Sequence, residues 1–363
     1  MEFLIFAKEY YTYLLTFLFF CVAFSFLSEF KQDRLTSIIN NVSFLFIIFL
    51  ILFFGSRDFE VGVDVIRYQR AYEYYSNSDT FEVEKDIFYD FITFVLSKFI
   101  TFKVFLIFCA SIYFFGFYFG LKKIFKNNVY IPLVLLFISP YFVANGVSAI
   151  RSGMAASVFT FGLGLAYQKK SNLKVFSIIL ISVLLHISMI VPVLFFLVTK
   201  FFKNTKLIFV FWLFSFILSL LNINIVILVV DKIGFLAERA SFYAVNEGTR
   251  SYWDNFLIFG LPPVLFAVYY ILSRKIIDKN YIHLVNAYML IHIPYIILLN
   301  SEYGLRLGYL AEFMLPIILC WPLLKFNDFK VRALHFKIVL VLTIIFLIKS
   351  YKVFTAPEGA ISL

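Results

Sequence analysis

The stretch NLKVFSIILISVLLHISMIVPVLFFLVTK, residues 172–200, decides how the rest of the chain is read. It is an almost unbroken apolar run, longer than the about 20 residues that a helix needs to cross a bilayer. Lysines bracket both ends: Lys169, Lys170 and Lys174 on one side, Lys200, Lys203 and Lys206 on the other. Positive charge in short connectors marks the cytoplasmic face of a membrane protein, so a single crossing would put one cluster on the wrong side. A hairpin that enters from the cytoplasm, turns at His186-Ile187-Ser188 with Pro192 just beyond, and returns keeps both clusters inside. Each arm would be about 14 residues, or roughly 21 Å at the helical rise. The turn then lies below the outer surface, inside protein or a wet cavity, where irregular backbone is tolerated.

Outward from this run the chain reads as an all-α polytopic membrane protein with about 10–12 transmembrane or re-entrant helices. It is 62% hydrophobic and 15% charged, with a mean hydropathy of +0.92, which excludes a soluble domain. Its apolar runs are continuous rather than alternating, which excludes a β-barrel. Spans fall near 10–28, 37–54, 102–121, 129–145, 149–168, 206–222, 254–273, 282–299, 305–324 and 335–352. No repeat or low-complexity linker divides them, so one membrane domain over 1–363 is expected. The first helix reads as a retained span, since no basic segment and small-residue cleavage site precede it. The net charge of +10 reflects topology and anionic lipid contact, not nucleic-acid binding. Cys21, Cys109 and Cys320 sit in apolar runs without close spacing, which gives neither a zinc motif nor a disulfide framework.

With the hairpin in place, the lysine-rich loops fall inside. The segments 55–101 and 223–253, the turns 145–150 and 300–305, His186 and both chain ends fall outside. Lys349 and Lys352, at the outer end of the last helix, are the exception that snorkelling accommodates. Seven of the ten arginines also lie on the outer face: Arg57, Arg67, Arg70, Arg151, Arg239, Arg250 and Arg306. Guanidinium forks bind phosphate oxygens in bidentate fashion, so these arginines point to a phosphorylated substrate on that side. Within 55–101, Phe88, Phe91, Ile92, Val95, Leu96 and Phe99 recur at helical spacing, as in an amphipathic helix at the interface or a shallow re-entrant one.

The densest polar cluster follows the second span: Gly55-Ser56-Arg57-Asp58, Val61-Gly62-Val63-Asp64 and Tyr68. Gly62 permits a tight return that brings Asp64 and Tyr68 back over the helix end. Arg57 is either half of an interfacial ion pair with Asp58 or Asp64, or a member of a phosphate clamp. Arg151 opens the fifth span in Ile150-Arg-Ser-Gly153-Met-Ala155-Ala156, whose small residues let helices approach closely. It therefore faces the protein interior, where it needs a carboxylate or a ligand phosphate. His186 is either a satisfied structural histidine or, at the turn, a group that moves a proton. Glu312, an intramembrane carboxylate, is a functional candidate or the partner of Arg306, Arg151 or His186. His292 makes a helix–helix hydrogen bond. Arg239, Arg250 and Tyr303 are weaker substrate-binding candidates. No Walker loop, nucleotide fingerprint, His/Cys metal spacing or Gly-x-Ser-x-Gly elbow is present, and no metal or cofactor is expected.

The succession Gly-Ser-Arg57-Asp, Val-Gly-Val-Asp64-x-x-x-Tyr68, Ile-Arg151-Ser-Gly-Met-Ala155, Leu-Leu-His186-Ile-Ser and Leu-Arg306-Leu-Gly-Tyr before Pro316 resembles the EpsG-like family, which contains exopolysaccharide proteins and Wzy-type O-antigen polymerases. Val63 departs from it where a threonine is common. The resemblance implies a GT-C-like helical arrangement in a bacterial inner membrane. It also implies glycosyl transfer at the outer face between oligosaccharide units linked to undecaprenyl diphosphate. Membrane lipids, a chain-length regulator and a flippase are the implied partners. On that chemistry Arg57, Arg151 and Arg306 would stabilise the leaving diphosphate without a metal, and Asp64 or His186 would deprotonate the acceptor hydroxyl. Tyr68 and Tyr303 would line the sugar path. The rival readings are an O-antigen ligase, which shares the donor, and a flippase or transporter, which would show pseudo-repeated halves and charges leading to both faces. A membrane acyltransferase with a catalytic His186 would leave the arginines unexplained.

Overall fold

Helices supply all the regular structure among the described residues. Hydrocarbon demands this, because backbone N–H and C=O groups without water must pair within their own segment. The computed structural model describes residues 2–28, 32–222, 253–276, 278–300 and 304–355. Arg239, Arg250, Tyr303 and nearly all of the segment 223–253 lie outside the described residues. Six helical stretches are long and apolar enough to cross a membrane: Glu2–Val22, Ser37–Gly55, Phe102–Asn128, Trp253–Ser273, Arg306–Lys325 and Phe329–Thr355. A bent pair over 130–147 makes up to seven. The protein is an all-α polytopic membrane protein.

The chain divides into two compact units, Met1–Met189 with Pro322–Leu363, and Ile190–Trp321. The first unit holds α1 (Glu2–Ser28), α2 (Gln32–Gly55), α3 (Val65–Asn77), α4 (Ile87–Ser97), α5 (Phe102–Phe125), α6 (Tyr130–Ile138), α7 (Pro140–Val147), α8 (Ile150–Tyr167) and α9 (Asn172–Leu185). The second contains α10 (Ile190–Phe201), α11 (Thr205–Leu220), α12 (Leu261–Val268), α13 (Lys279–Ile297) and α14 (Gly304–Glu312). The chain then runs through α15 (Leu315–Lys325) to α16 (Phe329–Thr355), which belongs to the first unit.

Several expected spans are shorter or more polar than a free-standing crossing. The run 172–200 breaks where the sequence suggests: α9 stops at Leu185, His186 is extended (φ −158°, ψ 114°), and a single 3₁₀ turn over Ile187–Met189 leads to α10. The span at 206–222 becomes α11, of 16 residues. Those at 149–168 and 282–299 become α8 and α13, of 18 and 19 residues. They are long enough but carry Arg151, Ser157 and Thr160, and His283, Asn286 and His292. Both bury most of their side chains among other helices, so their surfaces need not match lipid.

Within the first unit α5 packs on α8 along a seam of small residues. A Cβ on Gly120 would stand 2.7 Å from the Thr160 backbone, so only glycine permits this approach. The pair α6–α7 bends by 75° at Ser139-Pro140, since proline has no N–H to continue the ladder. The carbonyls beside the bend find donors elsewhere: Tyr10 Oη of α1 donates to Phe137 O (2.7 Å), and Ser350 Oγ of α16 to Ile138 O (2.7 Å). All three cysteines are buried.

The helix α4 is turned opposite to a helix of a water-soluble protein. Tyr89, Asp90, Thr93 and Ser97 face inward. Ile87 and Phe91, with Phe99 just beyond, are exposed, while Phe88, Ile92, Val95 and Leu96 are half-buried.

Candidate active site

The site starts with how α4 is capped. Asp90, in the first turn of α4, reaches back and holds the segment that leads into the helix. Its Oδ2 accepts the backbone N–H of Glu84 (3.0 Å), Lys85 (2.8 Å) and Asp86 (3.1 Å). Asp86 occupies the N-cap position but makes no cap bond with its side chain. Its carboxylate is turned to a different task.

That task joins two other elements. Asp86 Oδ2 lies 3.0 Å from Arg151 Nη1, in the first turn of α8, and 3.2 Å from His186 Nδ1, at the end of α9. Asp86 Oδ1 accepts the backbone N–H of Ile187 (3.0 Å). The Asp86 side chain is fully buried, while those of Arg151 and His186 keep 11% and 19% of their surface exposed. Substrate can thus reach the outer two members only. The Arg151 guanidinium sits over the rings of Tyr68 (5.4 Å) and Tyr89 (5.6 Å), an arrangement that adds cation–π attraction.

Electrostatics fixes the protonation pattern. Burial alone would raise the Asp86 carboxyl. Hydrogen bonds from His186 and the Ile187 amide, together with the charges of His186 and Arg151, outweigh it and hold the carboxyl below its ordinary value. Asp86 is therefore ionised and can only accept. In its neutral form His186 would present Nδ1–H to Asp86 and keep the Nε2 lone pair for an incoming proton; when protonated, it adds its charge to that of Arg151 beside the carboxylate. Tyr68, pushed upward by burial and only partly offset by Arg151, stays a neutral phenol.

Arg57 holds this group in place from beneath. Its Nε donates to Val61 O (3.2 Å), Nη2 to Val147 O (2.8 Å) and Nη1 to Phe54 O. It therefore ties the end of α2 to its own loop and to the end of α7, three residues before α8 begins. Gly62 makes the loop possible: its φ is +126°, and a Cβ there would stand 2.6 Å from Val147 O. Burial lowers the Arg57 guanidinium to about 10, which still leaves it charged near neutrality. Of the two alternatives for Arg57, the ion pair is not what the structure shows. Among the described residues it forms no ion pair with Asp58 or Asp64, and three of its N–H groups donate to backbone carbonyls.

The other expected residues divide as follows. Tyr68, Arg151 and His186 come together. Asp64 is exposed at the start of α3, where its carbonyl accepts Tyr68 N–H (3.1 Å) and its side chain makes no cap. Arg306 is exposed on α14, in the second unit. Glu312 pairs with His292 (Oε1 to Nε2, 3.2 Å), with both side chains fully buried. Its partner is thus none of Arg306, Arg151 or His186, and His292 makes the helix–helix contact expected of it. The residues missed from the sequence are Asp86, Tyr89 and Asp90. Their signal is present, two aspartates four apart at the start of an apolar helical pattern, but it reads as ordinary helix capping.

Beside Arg151 lies a small open cleft lined by Tyr68, Tyr75, Tyr89, Thr93 and Arg151 among others, with Arg67 and Glu84 paired at 3.0 Å on its exposed rim. Buried Arg151 Nε has no hydrogen-bond partner among the described residues.

The sequence model of the EpsG family matches residues 40–361 of the 363-residue chain. No curated protein and no solved structure matches it.

Proposed function

From the premise that this chain belongs to the EpsG family, we propose that it polymerises oligosaccharide repeat units, of an O-antigen or exopolysaccharide, carried on undecaprenyl diphosphate. The proposed location is a bacterial inner membrane, with the site on its outer face. Family membership supports a polysaccharide-polymerase-like role, and the observation that supports this chemistry is the buried Asp86 carboxylate gathering Arg151 and His186. In the proposed step, His186 Nε2 takes the proton of an acceptor sugar hydroxyl. The freed oxygen attacks the anomeric carbon of the donor unit. The bond from that carbon to the lipid diphosphate breaks, and its electron pair leaves with the phosphate oxygen. A single displacement of this kind inverts the anomeric centre.

Asp86 fixes the histidine tautomer and stabilises the imidazolium that forms, the role a buried carboxylate plays beside any histidine base. Arg151 contributes charge near the reacting centre and an Nε–H, without a partner among the described residues, for a substrate oxygen. Arg306 is retained as a proposed phosphate ligand. Asp64, exposed and outside the buried group, is the weaker base of the two that the sequence offers. A flippase and a chain-length regulator are the proposed partners.

The test is deletion of the gene in a strain of known surface glycan, with complementation by the intact chain, Arg151→Ala or His186→Ala. Loss of long chains with one repeat unit still attached supports the polymerase. Loss of all attached glycan identifies a ligase instead, and an unaltered glycan sinks both.

A further inference from the structure

His292 and Glu312, in the second unit, form an ionisable pair that the proposed reaction leaves unused. Glu312 Oε1 lies 3.2 Å from His292 Nε2, and neither side chain keeps any exposed surface. With Glu312 ionised and His292 neutral, one negative charge would stand in the interior without a cation. An unpaired charge is costly to bury.

The surroundings offer nothing else to balance it. Among the described residues, His292 is the only basic group within ion-pair distance of Glu312. On the helices packed around the pair, Lys200, Lys206, Lys279 and Arg306 are exposed, as is Asp254 just before the segment that faces His292. His283 is turned to Phe196 O at 2.8 Å, and Tyr281, Tyr288, Tyr295 and Tyr309 supply phenols. One proton removes the charge, whether it rests on the carboxyl or makes the imidazole a cation.

The backbone is irregular at the same place. Glu312 ends α14, and a two-residue turn separates it from α15 within one apolar stretch. Pro294 interrupts α13 two residues past His292. Against the His292 ring lies Gly260, the last residue of a π-helical segment over Phe256–Gly260, where a Cβ would stand 2.8 Å from Cε1. Ion sites in membranes are commonly built where helices break, and π turns gather at functional sites. Three buried atoms here have no hydrogen-bond partner among the described residues: Glu312 Oε2, His292 Nδ1 and the Oη of Tyr288, whose ring lies 4.5 Å from that of His292.

We infer that the His292–Glu312 pair is a proton-binding site, and that the closed packing of the second unit requires one proton on it. The proton comes from water as the unit closes and returns to water as it opens. Nothing in this assignment depends on the glycosyl-transfer reading.

In an unfolded chain above about pH 6.5, neither group keeps a proton. Unfolding there releases the proton that the folded pair holds, so stability falls as pH rises. The test is thermal unfolding of the full-length protein in lipid nanodiscs from about pH 6.5 to about pH 9. Glu312→Gln keeps the side-chain shape and needs no proton. Relative to it, the folded-to-unfolded ratio of the unaltered protein should drop about tenfold more per pH unit, the slope for one linked proton. His292→Gln moves the proton to the carboxyl and should retain that slope, which keeps the test decisive if Glu312→Gln does not fold. Equal slopes in the unaltered protein and Glu312→Gln, or a flat profile in His292→Gln, overturn the site. Stabilisation by Na⁺ at fixed pH that Glu312→Gln abolishes would put a metal ion where the proton is assigned, and would overturn it as well.

Discussion

Asp86 and Arg151 meet at 3.0 Å as a pair in which the carboxylate is wholly buried and the guanidinium nearly so. Removing one partner of a buried pair costs about 3–5 kcal/mol, because the other charge is left uncompensated. Asp86→Ala should therefore lower the amount of folded protein in the membrane. Asp86→Asn keeps the shape and an acceptor for His186, so it should fold better yet lose most activity. His186→Ala should fold and elongate glycan about 10²–10⁴-fold more slowly, the range for loss of a general base. Glycan ladders normalised to membrane protein separate these effects, and full-length chains from His186→Ala would remove that residue from the chemistry.

The depressed Asp86 carboxyl gives a signed pH dependence. Its folded value lies below the ordinary 3.8, so the stability it contributes is fully present above that value and disappears as pH falls through the lower one. Thermal unfolding of the purified protein should show an acid-side loss below about pH 3.8 that is smaller in Asp86→Asn. An identical acid profile in the two proteins would show that this carboxylate is not linked to folding.

Arg57 is expected to act on stability and not on turnover. Arg57→Ala strands three carbonyls that now accept from it, at about 1–3 kcal/mol for each buried group left without a partner. Folded protein in the membrane should fall, while elongation per folded molecule should change less than it does in His186→Ala. A well-folded Arg57→Ala protein that makes no polymer would return Arg57 to the substrate.

The outward apolar face of α4 should contact lipid. A photo-reactive amino acid at Phe91 or Phe99, both exposed, should crosslink to acyl chains, and one at buried Thr93 should not. Crosslinking to water-soluble reagents alone at Phe91 would place this face outside the membrane interface.

Much of this is legible in the sequence, and the limit has a physical cause. Long apolar runs set the helical class, and the break at His186 is visible because lysines at both ends forbid one crossing. Small residues around Arg151 place it inside the protein, as observed. Gly62 marks the tight loop. Asp86 escapes notice because its partners come from α8 and α9, and no periodicity within 55–101 records a contact made across the fold. Arg57 shows a related limit. A buried arginine beside aspartates suggests an ion pair or an anion, while the carbonyls that satisfy it belong to the backbone and have no signature in residue type.

The bend at Ser139-Pro140 has a consequence for how the protein is made. Its two bared carbonyls are served by Tyr10, near the start of the chain, and by Ser350, near its end. During synthesis the ribosome delivers all of Ile190–Trp321 before the serine exists, so the half-finished protein must wait in the bilayer with one carbonyl of the bend unanswered. Premature termination before α16 would leave that gap permanently, far from the missing residues, and would expose the product to membrane quality control.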